Sequence, residues 1–467
     1  MDSSNLWSLR LGFSGKQALE IDKNGIQNFL KNSFSNQYDT KLPDFLQDDP
    51  KTLEEFKNLR SQIKNADSVE QKKILRKQLY GTVEMKNWWL TKMQNESYPL
   101  REKMVCFWHN HFVATAQKVK GNYWIYQHNM ILRENAFGNF KELTKKIVKS
   151  NAMVRYLDNV DNKKGNYNEN LSRELLELFT LGIGNYSEDD IKNGAKALAG
   201  LGLGEENAIY RRFFEDNDDK TYLGKTGNLK ADDLVNQIFK QKNISYLITR
   251  KILKWFIYDN PKEELVLYYG DYFRKMNFEI EPLLTKVFTE EYAKPTAGSK
   301  IKNPLEFLFQ MVDELQITNF KPITAAFFAK QQGMDLFNQV NVKGWDGGNS
   351  WLTSQIYLQR NNTSDLLING RTISRKELKV GESEMKENEP QFAFQKIKVA
   401  VNFDSNGNNK NIIAQLSNRL LFKVDEATQK DMETILKYDF NAKEENANDA
   451  VLRLYSYIAK TPEYQLI

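Results

Sequence analysis

Apolar residues recur at helical spacing along most of this chain, and the densest case lies between Gly165 and Gly200. There Leu171, Leu175, Leu178 and Phe179 fall on one broad helical face. Asn170, Arg173, Glu174 and Glu177 fall on another, within a stripe about 100° wide. The spacing predicts a helix over about 168–181, stopped by Gly182 and Gly184. Ser187 and Asp190 have the spacing of a capping pair for the next helix. Ala195, Leu198 and Ala199 give that helix an apolar side, and Gly200 ends it. A helix this apolar is buried, so its polar stripe must meet a partner, a ligand or water.

The same reading extends to both ends. Residues 5–11 predict a short helix stopped by Gly12, and Ile26, Phe29, Leu30 and Phe34 continue at helical spacing. Residues 50–98 are Lys/Glu-rich with sparse apolar positions, which predicts an exposed helical hairpin ending at Trp88, Trp89 and Leu90. Pro99 suits the first turn of a helix, LREKMVCFWHNHFVA, that turns apolar all round after Lys103 and is therefore central. Further helices are predicted over 121–135 and 139–157. Residues 205–229 break the pattern, and AIYRRFF and KTYLG, with glycines and aspartates nearby, predict a small β excursion or a long ordered loop.

Helical spacing returns at 231–239, 243–258, 262–276 and 281–292, punctuated by Pro261, Pro282 and Pro295. Helices follow at 304 and 322–337, then the glycine-rich NVKGWDGGNSW, a surface insertion over 378–410, and helices over 411–423, 428–437 and 444–459. These elements sum to an all-α, bundle-like assembly: one domain over 1–467, organised around 99–200, with minor β structure near 205–227.

Composition narrows the function classes. The 66 basic and 61 acidic residues leave a net charge of +5, and no Lys/Arg block marks a nucleic-acid footprint. No apolar run approaches the roughly 20 residues of a membrane span. The opening MDSSNLWSLRLGF lacks the apolar core of a signal peptide. The chain is thus expected in the cytoplasm, or exported after trimming of a leader or together with a partner. Cys106 is the sole cysteine, which forbids an internal disulfide, and its apolar helix marks it as an inert core thiol. GxxxxGK[ST], strand–turn–helix GxGxxG and GxSxG patterns are absent.

Three histidines are present. His109 and His111 are two apart, a metal-ligand spacing on a strand or loop. On an intact helix such residues point about 200° apart, so a shared metal requires unwinding near His109. The alternative is a pair of buried, hydrogen-bonded imidazoles. His128 is expected to be structural. On the polar stripe, Glu169–Arg173 and Arg173–Glu177 are i,i+4 pairs, the ordinary makings of an ion network. In an apolar setting the same carboxylates would need a cation, hydrogen bonds or a metal, and could then serve as general base and ligand. Lys343, Trp345 and Trp351 sit on the glycine-rich loop, as a groove lining or as core plugs.

The stretch NENLSRELLELFTLGIGNYSEDDIKNGAKAL resembles the signature of domain-of-unknown-function family 1800, a large bacterial family. LRLGFS, PLREKMVCFWHNHF, AMVRYLDN, DDKTYLGKTG, KNPLEF, QVNVKGWDGGNSW and TPEYQL agree in order over nearly the whole chain. The resemblance implies a fold class and a residue set, but no reaction. Where relatives carry His-Asp ahead of the KTFLG-like block, Glu215-Asp216 stands here. Where many carry His after the LGxG turn, Asn185 stands.

Three readings follow. The first is a metal-assisted enzyme, hydrolytic or oxidative, with its site between 99–112 and 168–182. In it, His109, His111 and Glu174 hold a divalent transition metal, Glu169 transfers the proton and Arg173 orients an anion. Asn170, Glu177, Lys343, Trp345 and Trp351 contact substrate. The second follows from the resemblance to envelope proteins whose genes often adjoin those of family 1501, itself similar to phosphatase-type or sulfatase-type enzymes. It makes this chain a non-catalytic partner of such an enzyme. The third is carbohydrate binding on exposed Trp345 and Trp351.

Overall fold

The computed structural model describes residues 1–371 and 397–467. Most of the expected insertion over 378–410 therefore lies outside the described residues. Its last part, from 397, runs as irregular chain into the helix Asn409–Leu420. Among the described residues are 21 α-helices and two two-stranded antiparallel sheets. The mainly helical class read from periodicity holds.

Helix starts follow side-chain chemistry. Thr52, Ser187 and Asn303 each close a capping box with the residue three places on, satisfying backbone N–H groups that a helix N-terminus leaves unpaired. The exposed hairpin is real: Leu53–Asn65 and Ser68–Asn95 run side by side, and the second dips into the core only near its end. There Met85, Trp89 and Met93 recur every fourth residue and are buried.

The β excursion starts slightly before its expected limit. Strand β1 (Leu201–Gly202) pairs with β2 (Ile209–Tyr210), and β3 (Lys220–Tyr222) with β4 (Lys225–Gly227). Gly200 turns the chain into β1 at φ +81, and a side chain there would stand 2.8 Å from the Glu215 backbone nitrogen.

The central helix is Leu100–His111, and every residue except Asn110 is buried. Burial reaches the charged first turn, which periodicity had not placed inside. Glu102 pairs with Arg133 and accepts the Trp89 indole N–H at 2.9 Å. Lys103 pairs with Glu306 and donates to the carbonyls of Leu9 and Gly12.

Glu306 is the hub of a buried ion centre. Lys300 lies 3.8 Å away. Arg360 bridges Gln332, Gln465 and the Lys302 carbonyl. Lys302 donates to the Tyr464 carbonyl, and its ammonium sits 3.8 Å from that ring's centre. Burial opposes charge on Glu306, but Lys103 and Lys300 outweigh it and hold the carboxyl below its ordinary range. This centre ties the first helical segment, the central helix and the chain's last residues into one contiguous core running from Leu6 to Ile467.

Candidate functional site

Three consecutive residues end the central helix and point into three environments. His109 Nδ1 accepts from Gln339 Nε2 at 3.2 Å, leaving its Nε2 buried without a partner. Its ring lies among Trp89, Phe337 and His128. Burial, helped by His128, lowers its pKa to about 3, so the ring is neutral. His128 donates to the Phe112 carbonyl at 2.8 Å, the structural role expected of it.

Asn110 holds the glycine-rich loop. Its Oδ1 accepts the Trp345 N–H at 2.6 Å. Gly344 adopts φ +86 against it, and a side chain there would stand 2.5 Å from the Asn110 carbonyl oxygen. Only glycine satisfies both the backbone angle and the approach.

His111 faces the signature helix, Asn170–Glu177. Its Nε2 donates to the Phe179 carbonyl at 3.1 Å. Its Nδ1 accepts from Lys251 Nζ at 3.0 Å. Lys251 also donates to the Leu178 carbonyl at 2.9 Å. Lys251 comes from the helix Asn243–Phe256, on the same stripe as Ile244, Ile248 and Trp255. Burial lowers its pKa to about 8, with Lys254 adding repulsion. Burial, then Lys251, keeps His111 well below the ordinary imidazole range. The result is a neutral imidazole bonded to an amine that loses its proton near neutral pH.

One turn before Leu178 on the same face stands Glu174, half-buried and without a side-chain hydrogen bond. Burial raises its pKa, Glu177 raises it further, and Arg173 and Lys343 act against this. Tyr156 is within reach of its field and is pushed up to about 12 by burial and then by Glu174. Glu177 accepts the Tyr186 hydroxyl at 3.2 Å.

Several expected site residues lie elsewhere. Arg173 bonds Glu169 at 2.9 Å and Glu188 at 3.1 Å, a partly exposed network pinning the signature helix to Glu188–Ala197. Glu169 and Arg173 thus stand in the ion network weighed as the alternative to a proton carrier and a substrate anchor. Asn170 is exposed at the helix start. Trp345 and Trp351 are 6% and 4% exposed and pack against Trp255, which removes the open stacking faces that sugar binding needs. Lys343 is exposed above Glu174 in electrostatic terms only, with no bond between them.

The expected ligand set does not assemble. The helix stays intact to its end, so His109 and His111 diverge as helical geometry requires. Both nitrogens of His111 are already engaged. Among the described residues, no three His, Cys, Asp or Glu side chains gather as a metal cluster. At the two places where the family resemblance led histidine to be expected, this chain's own residues make bonds. Asn185 caps the carbonyls of Leu181, Gly182 and Ile183. Glu215 bonds Lys230 at 2.9 Å. Asp216 accepts the Tyr167 hydroxyl at 2.6 Å and lies 3.3 Å from Lys220.

Residues 6–466 match the family model described as protein of unknown function (DUF1800). No curated protein and no solved structure matches the chain.

Proposed function

We propose that this chain, which belongs to the DUF1800 family, is a hydrolytic enzyme working between the central and signature helices. One observation carries the reading. Where Lys251 bonds the Leu178 carbonyl at the end of the signature helix, burial moves a carboxyl upward at Glu174 and an amine downward at Lys251. A carboxyl and an amine displaced in these directions are suited to proton transfer. Neither forms an ion pair among the described residues, which sets them apart from buried Lys103, held by Glu306.

In this reading Glu174 delivers or removes the proton at the scissile group. Lys251, as the neutral amine, is the second proton-transfer group. His111 is a positioning residue that fixes the amine by accepting a hydrogen bond from it. Exposed Lys343 attracts an anionic substrate group toward Glu174. The carboxylates of Glu174 and Glu177 are the donors left for an ion, so metal analysis of the purified chain tests the metal-assisted form separately.

The test is a screen of ester, glycoside and phosphate hydrolysis by the purified chain, followed by variants. Glu174→Gln and Lys251→Met should each lower kcat by about 100-fold or more, the usual worth of a proton-transfer group. Arg173→Ala should leave kcat unchanged. Full activity in both core variants overturns the proposal. Activity that appears only with a family 1501 protein added would support the partner role instead.

A further inference from the structure

A second site lies away from the helices just described. A cavity of about 240 Å³ opens between the hairpin helix Leu53–Asn65 and the turn leading into β1. Phe56, Val119, Trp124, Val160 and Leu201 give it an apolar lining. The Phe56 and Trp124 rings stack at 3.8 Å. Five cations complete the wall: Lys57, Arg60, Lys120, Lys163 and Arg211. No carboxylate lines it.

This charge pattern needs an explanation. The chain as a whole is nearly balanced, with 66 basic and 61 acidic residues, so five cations without an acid around one cavity are out of proportion. Among the described residues, none of the five forms an ion pair. Arg211 donates only to the Leu203 carbonyl at 3.0 Å, and Lys163 lies 4.7 Å from the Phe214 ring centre. Arg60 is further opposed by the like charge of Arg155. Glu205 accepts the Leu53 N–H at 3.2 Å at the start of the hairpin helix and does not line the cavity. Trp124 is 3% exposed, and its indole N–H has no partner. A buried donor left unpaired costs about 1–3 kcal/mol. An acceptor that carries negative charge relieves the like-charge crowding, and one that reaches the Trp124 N–H relieves the unpaired donor as well.

We propose that this cavity binds a small amphipathic anion, with an alkyl or aryl body over Phe56 and Trp124 and a phosphate or carboxylate head among Arg60, Arg211 and the lysines. The volume equals about eight waters at ~30 Å³ each, which suits a short-chain or single-ring compound. Arginine supplies forked donors matched to such heads.

The test is calorimetric titration of the full chain with octyl phosphate below its micelle threshold, against 1-octanol. Octyl phosphate should bind at least about tenfold more tightly, the worth of one charged hydrogen bond, and should weaken with added salt. Arg60→Ala with Arg211→Ala should weaken octyl phosphate by a similar factor and leave octanol unchanged. Both residues are exposed, so the fold survives the change. Trp124→Phe, which keeps the ring stack and removes the N–H, should weaken the phosphate compound selectively. Equal affinity for the two probes, no effect of the arginine changes, or binding only to phosphatidylglycerol vesicles would each overturn the proposal. Because no residue of this cavity belongs to the Glu174 site, binding here and hydrolysis there succeed or fail separately.

Discussion

Lys251 shows how far a single side chain can depart from its sequence prospects. It lies 140 residues from His111, and no motif links them. The one sign was its place on the apolar stripe of its own helix, three residues past Ile248 and four before Trp255. The consequence is measurable. Its folded pKa of about 8 lies below the ordinary 10.5, so between these values the unfolded chain binds more protons. Raising pH through that window must then stabilise the fold, by up to about 3 kcal/mol for the full gap. Urea denaturation should show wild type gaining by roughly this amount relative to Lys251→Met between pH 8 and 10.5; parallel curves would refute the burial effect. Glu306 gives the opposite case, a buried carboxylate kept charged. Glu306→Gln leaves Lys103 buried without its counter-charge and should cost about 3–5 kcal/mol in the same assay. An unchanged midpoint would mean that the centre is not electrostatically coupled.

At the scale of elements, periodicity and caps were read well because they are local. The capping box of Ser187 and Asp190 stands where its spacing put it. Ser187→Ala should cost about 1 kcal/mol by thermal denaturation. The signature helix was read too long: it closes at Glu177, because the Phe179 N–H reaches the Glu174 carbonyl and Gly182 takes φ +82. The glycine-rich loop shows the limit of local reading. Its tryptophans could face a groove or fill the core with the same spacing, and Asn110, 235 residues away in the chain, decides for the core. Gly344→Ala, forced to positive φ against Asn110, should lose about 2 kcal/mol or more. That variant should also loosen the packing of the loop around Trp345, read as increased acrylamide quenching.

The whole molecule separates two jobs that the conspicuous sequence blocks had merged. LRLGFS, KNPLEF and TPEYQL converge with the Lys103 turn on the Glu306 centre. They are architecture. The end of the central helix and the signature stretch meet at the proposed site with Lys251 of the helix Asn243–Phe256, and Asn110 joins the glycine-rich loop to them. The helical class was legible because buried faces repeat every turn. Of the groups drawn into the proposed site, Glu174 and His111 were read as candidates from the sequence, while the partners of the histidines were not, since pairings over 140 and 230 residues leave no local trace.

The Glu306 centre also sets a timetable for biogenesis. Arg360 bonds Gln465 and Lys302 bonds the Tyr464 carbonyl, whereas Lys103 meets Leu9, Gly12 and Glu306 without them. During synthesis the Lys103 side has all its partners once Glu306 has been made, and Lys302 and Arg360 gain theirs only with residues 464 and 465.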